Sequence, residues 1–95
     1  MFTYLLVCEA TRSEDRYSTL LRAIESNFEC SRLGRFIWAL ESDMSAADLC
    51  DFISPHIKAS DRLIIVRVTA DLVWSGLPPN AANWLRRYAM KPIKR

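Results

Sequence analysis

The sequence predicts a single α+β domain, on three observations. Two runs, residues 2–9 (FTYLLVCE) and 62–69 (RLIIVRVT), are apolar on both alternating faces, as strands inside a covered sheet are. Two amphipathic segments with helical spacing separate strand-like stretches. The chain is 95 residues, enough for one hydrophobic core and too short for two. The whole chain, 1–95, is therefore read as one domain, with a core over 1–70 and a segment over 71–95 that carries a short helix and a basic tail.

The elements follow in order. Residues 2–9 set Phe2, Tyr4, Leu6 and Cys8 against Leu5 and Val7, which marks a central strand. Thr11 or Ser13 then caps a helix with an acid-rich first turn, whose Tyr17, Leu20, Leu21, Ile24 and Phe28 recur at helical spacing. From Phe28 to Leu40 the pattern turns to period two, with Phe36, Trp38 and Leu40 on one face and Ile37 and Ala39 on the other. Gly34 interrupts it, so the stretch reads as two short strands or as one bent strand with a bulge.

Ser45 with Asp48 three residues later signals the start of a second helix, which buries Leu49, Cys50, Phe52 and Ile53 and ends or kinks at Pro55. A last central strand begins at Arg62. "WSGLPPN" is loop punctuation, and Asn80 is placed to cap a short helix over AANWLRRYA. Strand, helix, strand, strand, helix, strand is the split βαβ order, so the expected architecture is a ferredoxin-like βαββαβ sandwich with a C-terminal helical appendix. Such a sheet carries helices on one face, and apolar residues on its other face predict a homodimer.

Charge is unevenly spread. Through Asp71 there are eleven acids and eight Lys or Arg, a net of −3; beyond it Arg86, Arg87, Lys91, Lys94 and Arg95 meet no acid, a net of +5. The tail reads as a phosphate-contacting arm or, more plainly, as a solvated helix end whose bases suit the helix dipole. Cys8, Cys30 and Cys50 have no C-x-x-C spacing and suggest neither a disulfide framework nor a zinc site; they are expected as reduced core residues. No cleavable signal and no run of membrane-spanning length is visible, which gives a cytoplasmic expectation.

Few residues carry chemistry. His56 is the sole histidine and lacks a partner at zinc or triad spacing, so a surface or helix-end role is expected. Ser75 lacks a nucleophile-elbow setting. Trp38, Trp74 and Trp84 could stack on bases, but core or interface anchoring is the favoured role. Glu9 ends the first strand, where a rigid sheet can hold an acid in place. One carboxylate binds a hard cation weakly; two, related by a dimer axis, could share one. The alternative is a loop acid that caps the amides of the first helix, and on the residues alone that alternative is favoured.

"YLLVCEATR", "DRYSTLLRAIES", "RFIWALES", "MSAADL" and above all "DRLIIVRVTADLVWSGLPPNAANWL" resemble a group of small bacterial proteins labelled SinR-like, over nearly the whole chain to Leu85. No helix-turn-helix accompanies the label. The group is in turn similar, more distantly, to CRISPR-associated protein two and virulence-associated protein D, which are ferredoxin-like homodimers. Several of them are metal-dependent nucleases, with a tyrosine-aspartate pair at the first strand's end. Cys8 and Glu9 stand at those two positions.

The resemblance implies a nucleic-acid-associated protein. If it is an enzyme, it is a metal-dependent endonuclease on RNA or DNA, with Glu9 as catalytic residue and metal ligand for Mg²⁺ or Mn²⁺ and with Arg12, Arg86 and Arg87 on nucleic acid. It also implies that residues 72–77 form an edge strand on the partner's sheet. The alternative is a non-catalytic homodimeric module, binding nucleic acid or protein, of a toxin-antitoxin or mobile-element system.

Overall fold

A computed structural model of the protein describes residues 1–9, 14–69 and 71–88, and for 14–17 the backbone only. The elements are β1 (Phe2–Glu9), α1 (Glu14–Asn27), β2 (Glu29–Gly34), β3 (Ile37–Ser42), α2 (Ala46–Ile53), a 3₁₀ turn (Ser54–His56), β4 (Arg62–Arg67) and α3 (Pro79–Tyr88). Four strands form one antiparallel sheet in the order β2-β3-β1-β4. The α+β class is as the sequence predicts.

β1 is hydrogen-bonded on both sides, and its alternation sorts the whole sheet. Tyr4, Leu6 and Cys8 are fully buried and pack with Trp38 and Leu40 of β3, Leu20 and Ile24 of α1, and Leu49 and Ile53 of α2. This is the helix-covered face. The Tyr4 hydroxyl satisfies its burial by donating to the Met44 carbonyl at 2.7 Å and accepting from Arg67 at 3.3 Å, while the Arg67 guanidinium lies 3.7 Å from the Phe2 ring centroid.

The Gly34 stretch resolves into both features expected of it. β2 and β3 form a hairpin closed at Arg35 and Phe36, and the pairing shifts register between Arg32 and Gly34. Ser45 caps α2, its hydroxyl accepting from the Asp48 amide at 3.1 Å, and the helix passes into the 3₁₀ turn that contains Pro55. β4 is shorter than the sequence run, although the Val68 amide still donates to the Thr3 carbonyl at 2.8 Å. The Thr11 or Ser13 cap lies outside the described residues.

The third helix corrects two expectations. It begins at Pro79, one residue before Asn80, because proline suits a first helical position where no amide partner is needed. Asn80 still accepts from the Ala81 amide, at 3.0 Å. Nor is α3 a mere appendix, and helices are not confined to one face. Thr3, on the face opposite Tyr4, donates to the Tyr88 carbonyl at 3.1 Å, and Glu29 accepts from the Trp84 indole at 3.0 Å. Ala81, Ala82 and Leu85 are buried there, and Ala39 beneath is fully covered. α3 thus closes one end of the second face.

The other end stays open. Ile37 is 39%, Ile64 57% and Val66 50% exposed, beside half-buried Leu5 and Val7. Residues 71–78, expected to supply an edge strand over 72–77, have no regular structure within the single chain, and Gly76 turns at φ 81.

Two substitutions separate the layers of this fold. Leu6→Ala, in the center of the buried face, is expected to cost about 2–5 kcal/mol, and Ser45→Ala about 1 kcal/mol, both read as shifts of the urea midpoint with unchanged slope. Equal effects would show that Leu6 is not in the main core.

Candidate functional site at the end of the first strand

Glu9 closes β1 at the end of the sheet away from α3. Its Cα pairs with that of Arg62, the first residue of β4, and Arg62 Nη1 donates to Glu9 Oε1 at 3.4 Å. Both side chains are exposed, 53% for Glu9 and 81% for Arg62, so the pair is screened and contributes about 0–1 kcal/mol. Its weight is positional: a cation already lies on the carboxylate.

The residue before it has the opposite setting. Cys8 is fully buried, and its amide donates to the Phe36 carbonyl at 2.9 Å. Burial, and secondarily the charge of Asp61, push the Cys8 thiol up to about 11. It stays protonated at neutral pH and is a poor ligand and nucleophile there. Asp61 is engaged in a turn before β4, accepting from the Lys58 amide at 2.9 Å while its own amide donates to the Lys58 carbonyl at 3.0 Å.

These groups do not make a metal site within one chain. Among the described residues no group of three or more His, Cys, Asp or Glu comes together as ligands, and Mg²⁺ or Mn²⁺ requires several oxygens. Among the described side chains this strand end offers one carboxylate, Glu9, already opposed by an arginine. The sequence could not show that opposition, because Arg62 lies 53 positions away and only the register of β1 with β4 brings it in.

The sequence-predicted nucleic-acid residues divide. Arg12 lies outside the described residues, as do Lys91, Lys94 and Arg95. Arg86 and Arg87 are exposed in the last turn of α3. Arg86 donates to Asn83 Oδ1 at 2.8 Å and sits 5.9 Å from the Trp74 ring centroid; Arg87 sits 6.0 Å from that of Tyr88. Tyr88 is tied to Thr3, six residues along β1 from Glu9, or ~20 Å at strand rise. Within one chain Glu9 and the two arginines are separate sites.

The tryptophans divide too. Trp38 is fully buried, and Trp84 is held by Glu29 and by the Tyr88 ring at 4.6 Å, so both are anchors. Trp74 is half-buried on a loop and lines an open cleft with Leu72, Val73 and Arg86, a setting the sequence reading did not single out. His56 ends the 3₁₀ turn with its ring 6.2 Å from Phe52, a helix-end position. Cys30 and Cys50 are only half-buried, a correction to the buried-core expectation; all three thiols are free. In comparisons with known proteins, no family and no curated protein matches the chain.

The cysteines give a pH test. Burial, then Glu25 and Glu29, raise the Cys30 thiol to about 11, as burial and Asp61 raise Cys8. Unfolded thiols lose their protons near 9.0 and the folded ones near 11, so between these values the unfolded chain binds fewer protons and stability falls as pH rises. The melting temperature is expected to decline from pH 9 to 11 more steeply in the native protein than in Cys8→Ala. Parallel profiles would show that Cys8 carries no such linkage.

Proposed function

We propose that the protein is a nucleic-acid-associated homodimer of ferredoxin-like fold. One observation supports nucleic acid most directly: α3 (Pro79–Tyr88) contains no acid and exposes Arg86 and Arg87, with the loop's Trp74 beside the first and Tyr88 beside the second. Phosphate attracts such a surface, and the flanking rings offer base contacts.

The strand order β2-β3-β1-β4, with α1 and α2 on one face, supports the ferredoxin-like reading. The dimer reading rests on Ile37, Ile64 and Val66, which leave an apolar strip on the sheet between α3 and the free edge of β4. A second copy laid on that strip would remove it from water and bring two Glu9 strand ends toward a shared axis. Three free cysteines fit a cytoplasmic location, and no described helix is long and apolar enough to cross a membrane.

A second reading, a metal-dependent endonuclease on RNA or DNA, rests on Glu9 alone. It needs one Glu9 from each subunit, with Arg62 moved aside or turned to phosphate, and Mg²⁺ or Mn²⁺ would supply charge stabilisation when bound. Cleavage rests on one carboxylate, whereas binding rests on the exposed arginines of α3 and the rings beside them, so binding without cleavage is the better supported form.

Sedimentation at micromolar concentration tests the dimer. The wild type is expected at twice the 11.0 kDa chain mass and Ile64→Glu at the chain mass with its fold intact. A monomeric wild type would remove the shared axis, and the enzyme reading with it. Glu9→Gln separates the two forms of function: as a ligand it abolishes Mn²⁺-dependent cleavage of RNA or DNA, whereas in a binding module nucleic-acid affinity persists and no cleavage is seen in either protein. Thermal stability should move by less than about 1 kcal/mol in both cases, since the pair is exposed.

A further inference from the structure

The Trp74 cleft lies at the opposite end of the sheet from Glu9 and is built by a loop and a helix together. Leu72, Val73 and Trp74 form one wall and Arg86 the other, around an open volume of about 300 Å³. Val73 is 89% exposed, an apolar side chain with little cover. The Arg86 guanidinium stands over the indole, 5.9 Å from the ring centroid, and donates to Asn83 Oδ1 at 2.8 Å. An aromatic ring and an exposed cation therefore share one opening.

We infer that this cleft binds single-stranded nucleic acid, with an unpaired base stacked on Trp74 and the adjoining phosphate drawn to Arg86. The inference rests on the nucleic-acid reading above and specifies it. Three features select this ligand. The indole offers a face that every base can stack on, whereas a duplex hides base faces within its own stack. Arg86 supplies the charge a backbone phosphate requires and can contact the base plane as well. Arg87 extends the same charge along α3, and beyond Asp71 the chain carries no acid to repel a strand. An acidic peptide would use the arginines but gain little from the indole face.

Fluorescence anisotropy with labelled oligo-U, oligo-dT and a duplex of the same length tests it, using the full chain at low salt. Single strands of about 12 nucleotides are expected to bind more tightly than the duplex. Trp74→Ala should weaken them roughly tenfold or more, Trp74→Phe much less, and Arg86→Gln should lower the salt slope by about one. Val73→Glu, at a side chain the fold does not bury, should weaken binding by placing a carboxylate on the cleft wall. Oligo-U and oligo-dT bound alike would assign the contact to base faces and phosphates; a preference for one adds recognition of the sugar or of the thymine methyl and leaves stacking in place.

Single strands bound equally by wild type, Trp74→Ala and Val73→Glu would overturn the cleft while the nucleic-acid reading stands, and so would a duplex bound as tightly as the single strand. Polyglutamate bound with the same Trp74 dependence would put an acidic peptide in the cleft instead. No binding of any nucleic acid would sink both readings together.

Discussion

The alternation of β1 is the constraint on which the rest depends. It is the one strand hydrogen-bonded to two strands that are each held in full register with it, β3 on one side and β4 on the other. Its even residues, Tyr4, Leu6 and Cys8, face the helices. Its odd residues, Thr3, Leu5, Val7 and Glu9, face the other way. A slip of one residue would put the first set in solvent and the second in the core. Because both neighbours are aligned to it, this choice of face also decides where Trp38, Leu40, Ile64 and Val66 point.

That same choice separates the two candidate sites. α3 docks through Thr3 at the start of β1 and through Glu29 across the sheet, so its arginines gather at one end. Glu9 ends the strand at the other, where the antiparallel return of β4 supplies Arg62. Between them lies the apolar strip of Ile37, Ile64 and Val66 that α3 leaves open. A basic, aromatic end and an acidic, paired end are thus set apart by one strand length.

The α3 contact also resolves a local conflict. Glu29 and Glu41 pair directly across β2 and β3, and like charges opposite one another disfavour a sheet. The Trp84 indole donates to Glu29 at 3.0 Å, and the one Thr3 hydroxyl proton is shared between the Tyr88 carbonyl at 3.1 Å and Glu41 at 3.2 Å. The bonds from the Trp84 indole to Glu29 and from Thr3 to the Tyr88 carbonyl give the helix a specific seat where apolar packing of Ala81, Ala82 and Leu85 alone would leave its position loosely fixed.

By itself the sequence determined the α+β class, the strand and helix order, the Ser45 start of α2 and the strand-end place of Glu9. Each is written in local spacing: period two, period 3.6, a hydroxyl three residues before the amide it caps. Its composition also set the charge of the last segment. Only the tertiary structure decided what those residues meet. The seat of α3 on the second face, the Arg62 guanidinium on Glu9, the partial exposure of Cys30 and Cys50 and the cleft between Trp74 and Arg86 all depend on residues from separate elements. Such pairings follow from strand register and from which surfaces remain to be covered once the first core is closed, and no local pattern encodes either.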